Sequence, residues 1–166
     1  MSFKERTAKE IDRNLIEMIA DEWALVCVGD EKKYNMMTAS WGFFGEMWGK
    51  DCVISAVRPQ RYTYEFMENG EYFALCFMGD NKAVHKVCGS KSGRDVNKTE
   101  LTGLTPVFSE KAVYFEEAET VIICKKAYAE PLKAKNFFDK EALDKWYNND
   151  LHKMYIGEIL KVLVKE

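Results

Sequence analysis

The apolar residues of this chain fall mostly into short runs closed by glycine, asparagine, aspartate or proline, which is the punctuation of β-strands. WALVCVGD (23–30) reads as a strand closed by a Gly-Asp turn. NMMTASW (35–41) and CVISAV (52–57) read as two more, rich in residues that suit a pleated surface, with glycines 42, 45 and 49 punctuating a loop between them. A helical period occurs near the start, where Ala8, Ile11, Leu15, Met18 and Ile19 share one stripe and predict an amphipathic helix over 8–20. Pro59 stops the strand before it, because proline has no N–H for a ladder and holds Arg58 extended. Beyond it, QRYTYEFMENG (60–70) sets Tyr62 against Phe66 and Thr63 against Met67 at i, i+4, predicting a short helix that closes at Asn69-Gly70. YFALCFM (72–78) is a buried strand, DNKAVHKVCG (80–89) a short helix, and 90–105 a loop with a helical turn at KSGRDVNK. Strands resume near 106–109, 113–116 and 119–128, and a helix follows near 139–147.

The closing stretch, KMYIGEILKVLVKE (153–166), carries Met154, Ile156, Leu160, Val162 and Val164 on its even face. Tyr155, Ile159 and Leu163 sit on its odd face. A strand apolar on both faces must be covered on both. A barrel interior is one cover; a helix or a second subunit is the other, and the subunit is favoured. About seven short strands with interspersed helices predict a closed or split β-barrel rather than a doubly wound α/β sheet.

Composition narrows the function classes. The 166 residues suffice for one domain, 1–166, with a self-supporting core. With 24 basic and 27 acidic side chains the net charge is −3, which disfavours a nucleic-acid partner. The first residues are polar and the longest apolar runs fall far short of a bilayer span, so neither a secretory signal nor a membrane segment is expected. Five cysteines, 27, 52, 76, 88 and 124, are irregularly spaced with no C-x-x-C. Buried reduced thiols in a cytoplasmic protein account for them better than a metal site or a redox pair.

The chain lacks the parts of self-sufficient catalysis. His85 and His152 are its two histidines, neither with recognisable triad or metal partners nearby in sequence, and GFFGEMWG has the wrong spacing for a dinucleotide loop. A cofactor can supply the reactivity instead. A helix start beside Arg58, Arg61 and Thr63 offers free N–H groups, two guanidinium forks and a hydroxyl, which suit a phosphate. The strand Asn35–Trp41, with small residues at 39 and 40, lets a flat ring approach the backbone. A heterocycle with a phosphate tail, FMN, fits that layout; surface ion pairs and an ordinary strand fit the same residues. Met36, Met37, Trp41, Phe43, Phe44, Met47 and Trp48 read as core or interface filler, in a stretch apolar enough to dock a partner subunit.

Four segments in register carry a resemblance: NMMTASWGFFG, RPQRYTYEFMENGEYFALCF, VCGSKSGRDVNKTELTGLTP and DLHKMYIGEILKVLVK. Together they resemble the flavin reductase-like family of FMN-binding split barrels, which includes flavoredoxins and ferric reductases. The resemblance implies a mainly β fold, a six-stranded Greek-key split barrel with a few peripheral helices, assembled as a homodimer with FMN near the subunit interface. It implies Asn35, Thr38, Ala39, Ser40 and Trp41 beside the flavin ring, and Arg58, Arg61 and Thr63 at the phosphate. It also implies Ser90, Lys91 and Ser92 as a second phosphate-side element, where a plain solvated loop fits the same residues, and His152 on the nicotinamide side, where a structural role is the alternative. The implied activity is an NAD(P)H-dependent flavin reductase, with NAD(P)H a transient co-substrate and free flavin, a ferric chelate or a redox partner protein as acceptor. The same residues would serve a flavoredoxin-type electron carrier or a non-catalytic flavin-binding barrel.

Overall fold

One long strand, Lys153–Lys165, holds the barrel together by serving three neighbours. In the computed structural model, which describes residues 2–109 and 111–166, it is the last of ten strands. In chain order these are β1 (Phe3–Arg6), β2 (Ala24–Gly29), β3 (Tyr34–Ala39), β4 (Gly42–Met47), β5 (Lys50–Val57) and β6 (Tyr72–Phe77). There follow β7 (Pro106–Phe108), β8 (Val113–Phe115), β9 (Thr120–Pro131) and β10 (Lys153–Lys165). The helices are α1 (Leu15–Glu17), α2 (Tyr62–Asn69), α3 (Lys82–Ser90), α4 (Lys98–Thr102) and α5 (Lys140–Trp146). Among the described residues no helix is long and apolar enough to cross a membrane.

The main sheet is antiparallel throughout and runs β3-β2-β6-β9-β10-β5-β4, with β1 added on β10. Within this eight-stranded sheet, β3-β2-β6-β9-β10-β5 make up a six-stranded wall, the number that the resemblance implies. β4 extends it as a hairpin on β5 through Trp48 and Gly49, both with left-handed backbone. β3 and β4 do not pair, so the ladder never closes and the barrel is split. The β7–β8 hairpin plugs one end, burying Val113 and Phe115 against Leu25, Cys76 and Val121.

β10 pairs with β9 along one side; on the other it meets β5 over 153–158 and then β1 over 162–165. Its register against β9 shifts between Ile156 and Gly157 and again between Ile159 and Lys161. A one-residue shift sends the following side chains to the opposite face. Tyr155 and Val162, of opposite parity, therefore bury in the same cluster with Val53, Phe73 and Phe77, while Leu163 joins the other. The even and odd faces read from the sequence hold on either side of the bulge but not across it.

Two sequence expectations need correction. The helix over 8–20 is broken: a 3-10 turn covers Ala8–Glu10, Ile11 is extended, and a new start begins at Asn14, whose side chain accepts from the N–H groups of Ile16 and Glu17. A wide turn over Met18–Glu22 completes it. The apolar stripe still packs on the core, Met18 fully and Ala8, Ile11, Leu15 and Ile19 in part. Asn14 caps the new start, a position that asparagine favours over a helix interior. The stretch at 42–49, read as a loop, contains β4; Phe44 packs inward and Phe43 is 62% exposed, the alternation of a strand with one face in solvent. All five cysteines are free and buried.

Gly157 makes the closest approach in the wall. An added Cβ would stand 2.6 Å from Phe73 Cζ and 2.9 Å from Cys124 Cβ, both in fully buried side chains. Gly157→Ala should destabilise the fold by about 1–3 kcal/mol through overpacking, read as a lower urea midpoint at unchanged slope.

Candidate functional site

The split leaves β3 bonded to β2 on one side only. The Met36 carbonyl accepts from Lys98 Nζ at 2.7 Å, so it faces away from β2. Main-chain facing alternates along an antiparallel strand, so Thr38 turns its N–H and C=O to the same open edge. Across the seam, β5 ends in Ala56 and Val57 and delivers Arg58. A groove of about 330 Å³ lies between them, lined by Met37, Thr38, Ala39, Ser40, Trp41, Ala56, Arg58, Arg61, Trp146 and His152.

The two arginines come from the turn around Pro59, where the Arg61 N–H donates to the Arg58 carbonyl. Arg58 is held from the far side: Nη1 donates to Asp150, Nη2 donates to the Trp146 carbonyl at 2.9 Å, and the guanidinium lies 5.2 Å over the Tyr147 ring. Arg61 donates through Nη2 to the Cys88 carbonyl at 3.2 Å. Each fork keeps N–H donors for a ligand. Arg61 is also the N-cap residue of α2, and no side chain caps that end. α1, α3, α4 and α5 are capped by Asn14, Asn81, Asn97 and Asp139. An eight-residue helix whose first N–H groups lack a side-chain acceptor, flanked by two guanidiniums, fits a phosphate.

Several side chains singled out in the sequence are bonded to neighbouring elements. Asn35 and Thr63 are both buried, and Asn35 Nδ2 donates to Thr63 Oγ1 at 2.8 Å, tying β3 to α2. Thr38 donates its hydroxyl to the His85 carbonyl at 2.9 Å and joins β3 to α3. Ser90 ends α3 with its hydroxyl on the Lys86 carbonyl, Lys91 is exposed, and the Ser92 hydroxyl accepts from the Arg94 N–H; none of the three lines the groove. Their loop does reach the start of α2, since Arg94 stacks 4.7 Å from the Tyr62 ring and donates to the Gln60 carbonyl. Gly93 passes so close to Asn35 Oδ1 and Tyr62 that a side chain there would have no room.

His152 lies in the groove wall, 92% buried, with Nδ1 2.9 Å from the Tyr147 hydroxyl and its ring 5.0 Å from that of Trp41. Trp41 meets Trp146 edge-on at 5.2 Å. Trp146, Tyr147 and Asp150 were missed by the sequence reading, which took 139–147 as a peripheral helix. The signal available was the aromatic pair and the acid immediately before His152. Burial first, and Arg58 second, hold His152 down from 6.5 to about 4, so the imidazole is neutral. Asp150 is held at about 2, first by the Asn148 N–H and then by Gln60 and Arg58. Ser40, Trp41 and Ala56 also border a second, apolar groove of about 890 Å³ that runs past Ile16, Ile19, Phe43 and Phe137.

A family model described as "Flavin reductase like domain" matches residues 17–166. No curated protein matches the sequence. The fold is similar to that of flavoredoxin from Desulfovibrio vulgaris (Miyazaki F), at TM-score 0.68 and 22% identity over 96% of this chain and 78% of that one. It is also similar to flavoredoxin from Methanosarcina acetivorans, at TM-score 0.67 and 20% identity over 87% and 69%. An NADH:FAD oxidoreductase of Streptomyces globisporus, in complex with NAD and FAD fragments, aligns at TM-score 0.63 and 16% identity over 87% and 74%.

His85 is likewise held at about 4, chiefly by burial. Both imidazoles titrate lower in the folded protein than in the unfolded chain, so the unfolded chain binds more protons between pH 6.5 and about 4. Stability should be full above pH 6.5 and fall as the pH drops through that window. Chemical denaturation at stepped pH values checks this, and His152→Gln should make the fall shallower.

Proposed function

The chain belongs to the flavin reductase like domain family, and from that membership we propose that it binds FMN in the β3–β5 seam and works as an NAD(P)H-dependent flavin reductase. The observation that carries the reading is the groove itself. It sets the open edge of β3 opposite two arginines and an uncapped helix start. Bound flavin would supply the redox chemistry between a reduced nicotinamide and an acceptor, so no side chain need act as nucleophile or base.

The residues' own tasks are to bind, orient and exclude water. Main-chain groups at Thr38 and at Ser40, just past the end of β3, present donors and acceptors to the polar rim of a ring. Arg58, Arg61 and the first N–H groups of α2 hold the phosphate, with charge-assisted bonds each worth roughly 1.5–3 kcal/mol. Trp41 and Trp146 wall the groove, and neutral His152, braced by Tyr147, presents an uncharged surface where a nicotinamide would enter. A second copy of the chain would cover the apolar groove, where Ile16 and Phe43 stand 77% and 62% exposed. Burial of such a patch is the usual reason for a homodimer.

Arg61→Ala should weaken FMN binding about tenfold or more, measured by quenching of flavin fluorescence. Anaerobic titration of the FMN-loaded protein with NADH and NADPH tests the reductase. Bleaching of the flavin band is expected, and its absence with both would leave a flavoredoxin-type carrier. Phe43→Asp should shift the protein from dimer to monomer in sedimentation velocity.

A further inference from the structure

Thr38 lines the groove, and its hydroxyl is already spoken for on two sides, both by His85. Its oxygen lies 2.9 Å from the His85 carbonyl and 3.2 Å from Nδ1 of the same residue. A hydroxyl has one hydrogen, and a carbonyl can only accept, so the hydrogen goes to the carbonyl. Nδ1 must then carry a proton of its own and donate into Oγ1. The far side of the ring agrees. Nε2 is buried with no hydrogen-bond partner, and a bare acceptor is more readily left unpaired in an apolar setting than an orphaned N–H.

We propose that His85 is a positioning residue that fixes the Thr38 hydroxyl so that Oγ1 offers the groove a lone pair and no hydrogen. This rests on the reading of the groove as a flavin site. An acceptor-only hydroxyl recognises a ring N–H, such as the imide-type N–H of a flavin, and disfavours a ring edge that only accepts. The arrangement is insulated from titration near neutrality. The groups facing His85 are the edge of Trp23 at 5.8 Å, Lys82 and Glu22, the last two of opposite charge. The Lys82 ammonium is held by the Asp21 and Glu22 carbonyls, and the Glu22 carboxylate by Arg13 and the Gly79 N–H.

The test is a double-mutant cycle read as FMN affinity. Thr38→Val and His85→Leu should each weaken binding about tenfold, the double variant no more than either alone, and His85→Asn, which keeps a donor at the δ position, within about twofold of wild type. Independent, multiplying losses in the double variant, or full affinity in His85→Leu, would overturn the proposal. Nitrogen NMR of the wild-type imidazole decides it even if His85→Leu does not fold: a protonated Nδ1 and bare Nε2 are expected, and a protonated Nε2 would overturn it. Wild-type protein that fails to bind FMN would sink the flavin reading instead, leaving the NMR measurement to judge the hydrogen-bond assignment.

Discussion

A strand with one empty edge governs the rest of this molecule. β3 has a ladder partner in β2 and none beyond it, and main-chain groups that are neither paired nor wet are costly. Lys98 crosses to satisfy the Met36 carbonyl, and two side-chain bonds, from Asn35 to Thr63 in α2 and from Thr38 to the His85 carbonyl in α3, tie helices to the same strand. What these ties leave uncovered is the short length from Thr38 to Trp41. Lys98 bears the consequence: burial holds its ammonium down to about 8, a penalty compensated by its bonds to two carbonyls.

The other lip of the seam is built from more distant parts of the chain. Arg58 leaves β5, and the β9–β10 connection folds back to meet it with Trp146, Tyr147 and Asp150. Arg61 and Lys98 both donate to the Cys88 carbonyl, and among the described residues no carboxylate pairs with either. Arg58 has Asp150; Arg61 has none. The groove is therefore locally cationic in a chain whose net charge is negative, a setting that suits an anionic ligand.

Most strands were legible because their apolar runs are short and their ends are marked by Gly29-Asp30, Pro59 and Gly70. β4 was not, since its glycines looked like loop and its inward residue, Phe44, is a single signal. The broken first helix was misread because the stripe from Ala8 to Ile19 records burial and not continuity. For the groove, the sequence pointed to Thr38 through Trp41 with Arg58 and Arg61, and these do converge. It could not show that Asn35 and Thr63 bond to each other, because that pairing depends on how α2 lies across β3. Trp146, Tyr147 and Asp150 sit far from both lips in sequence and meet them only through the fold.

Trp41 borders both the seam and the apolar channel, together with Ser40 and Ala56. The two compartments therefore share a stretch of wall, and exchanging any of these three side chains would alter both linings at once.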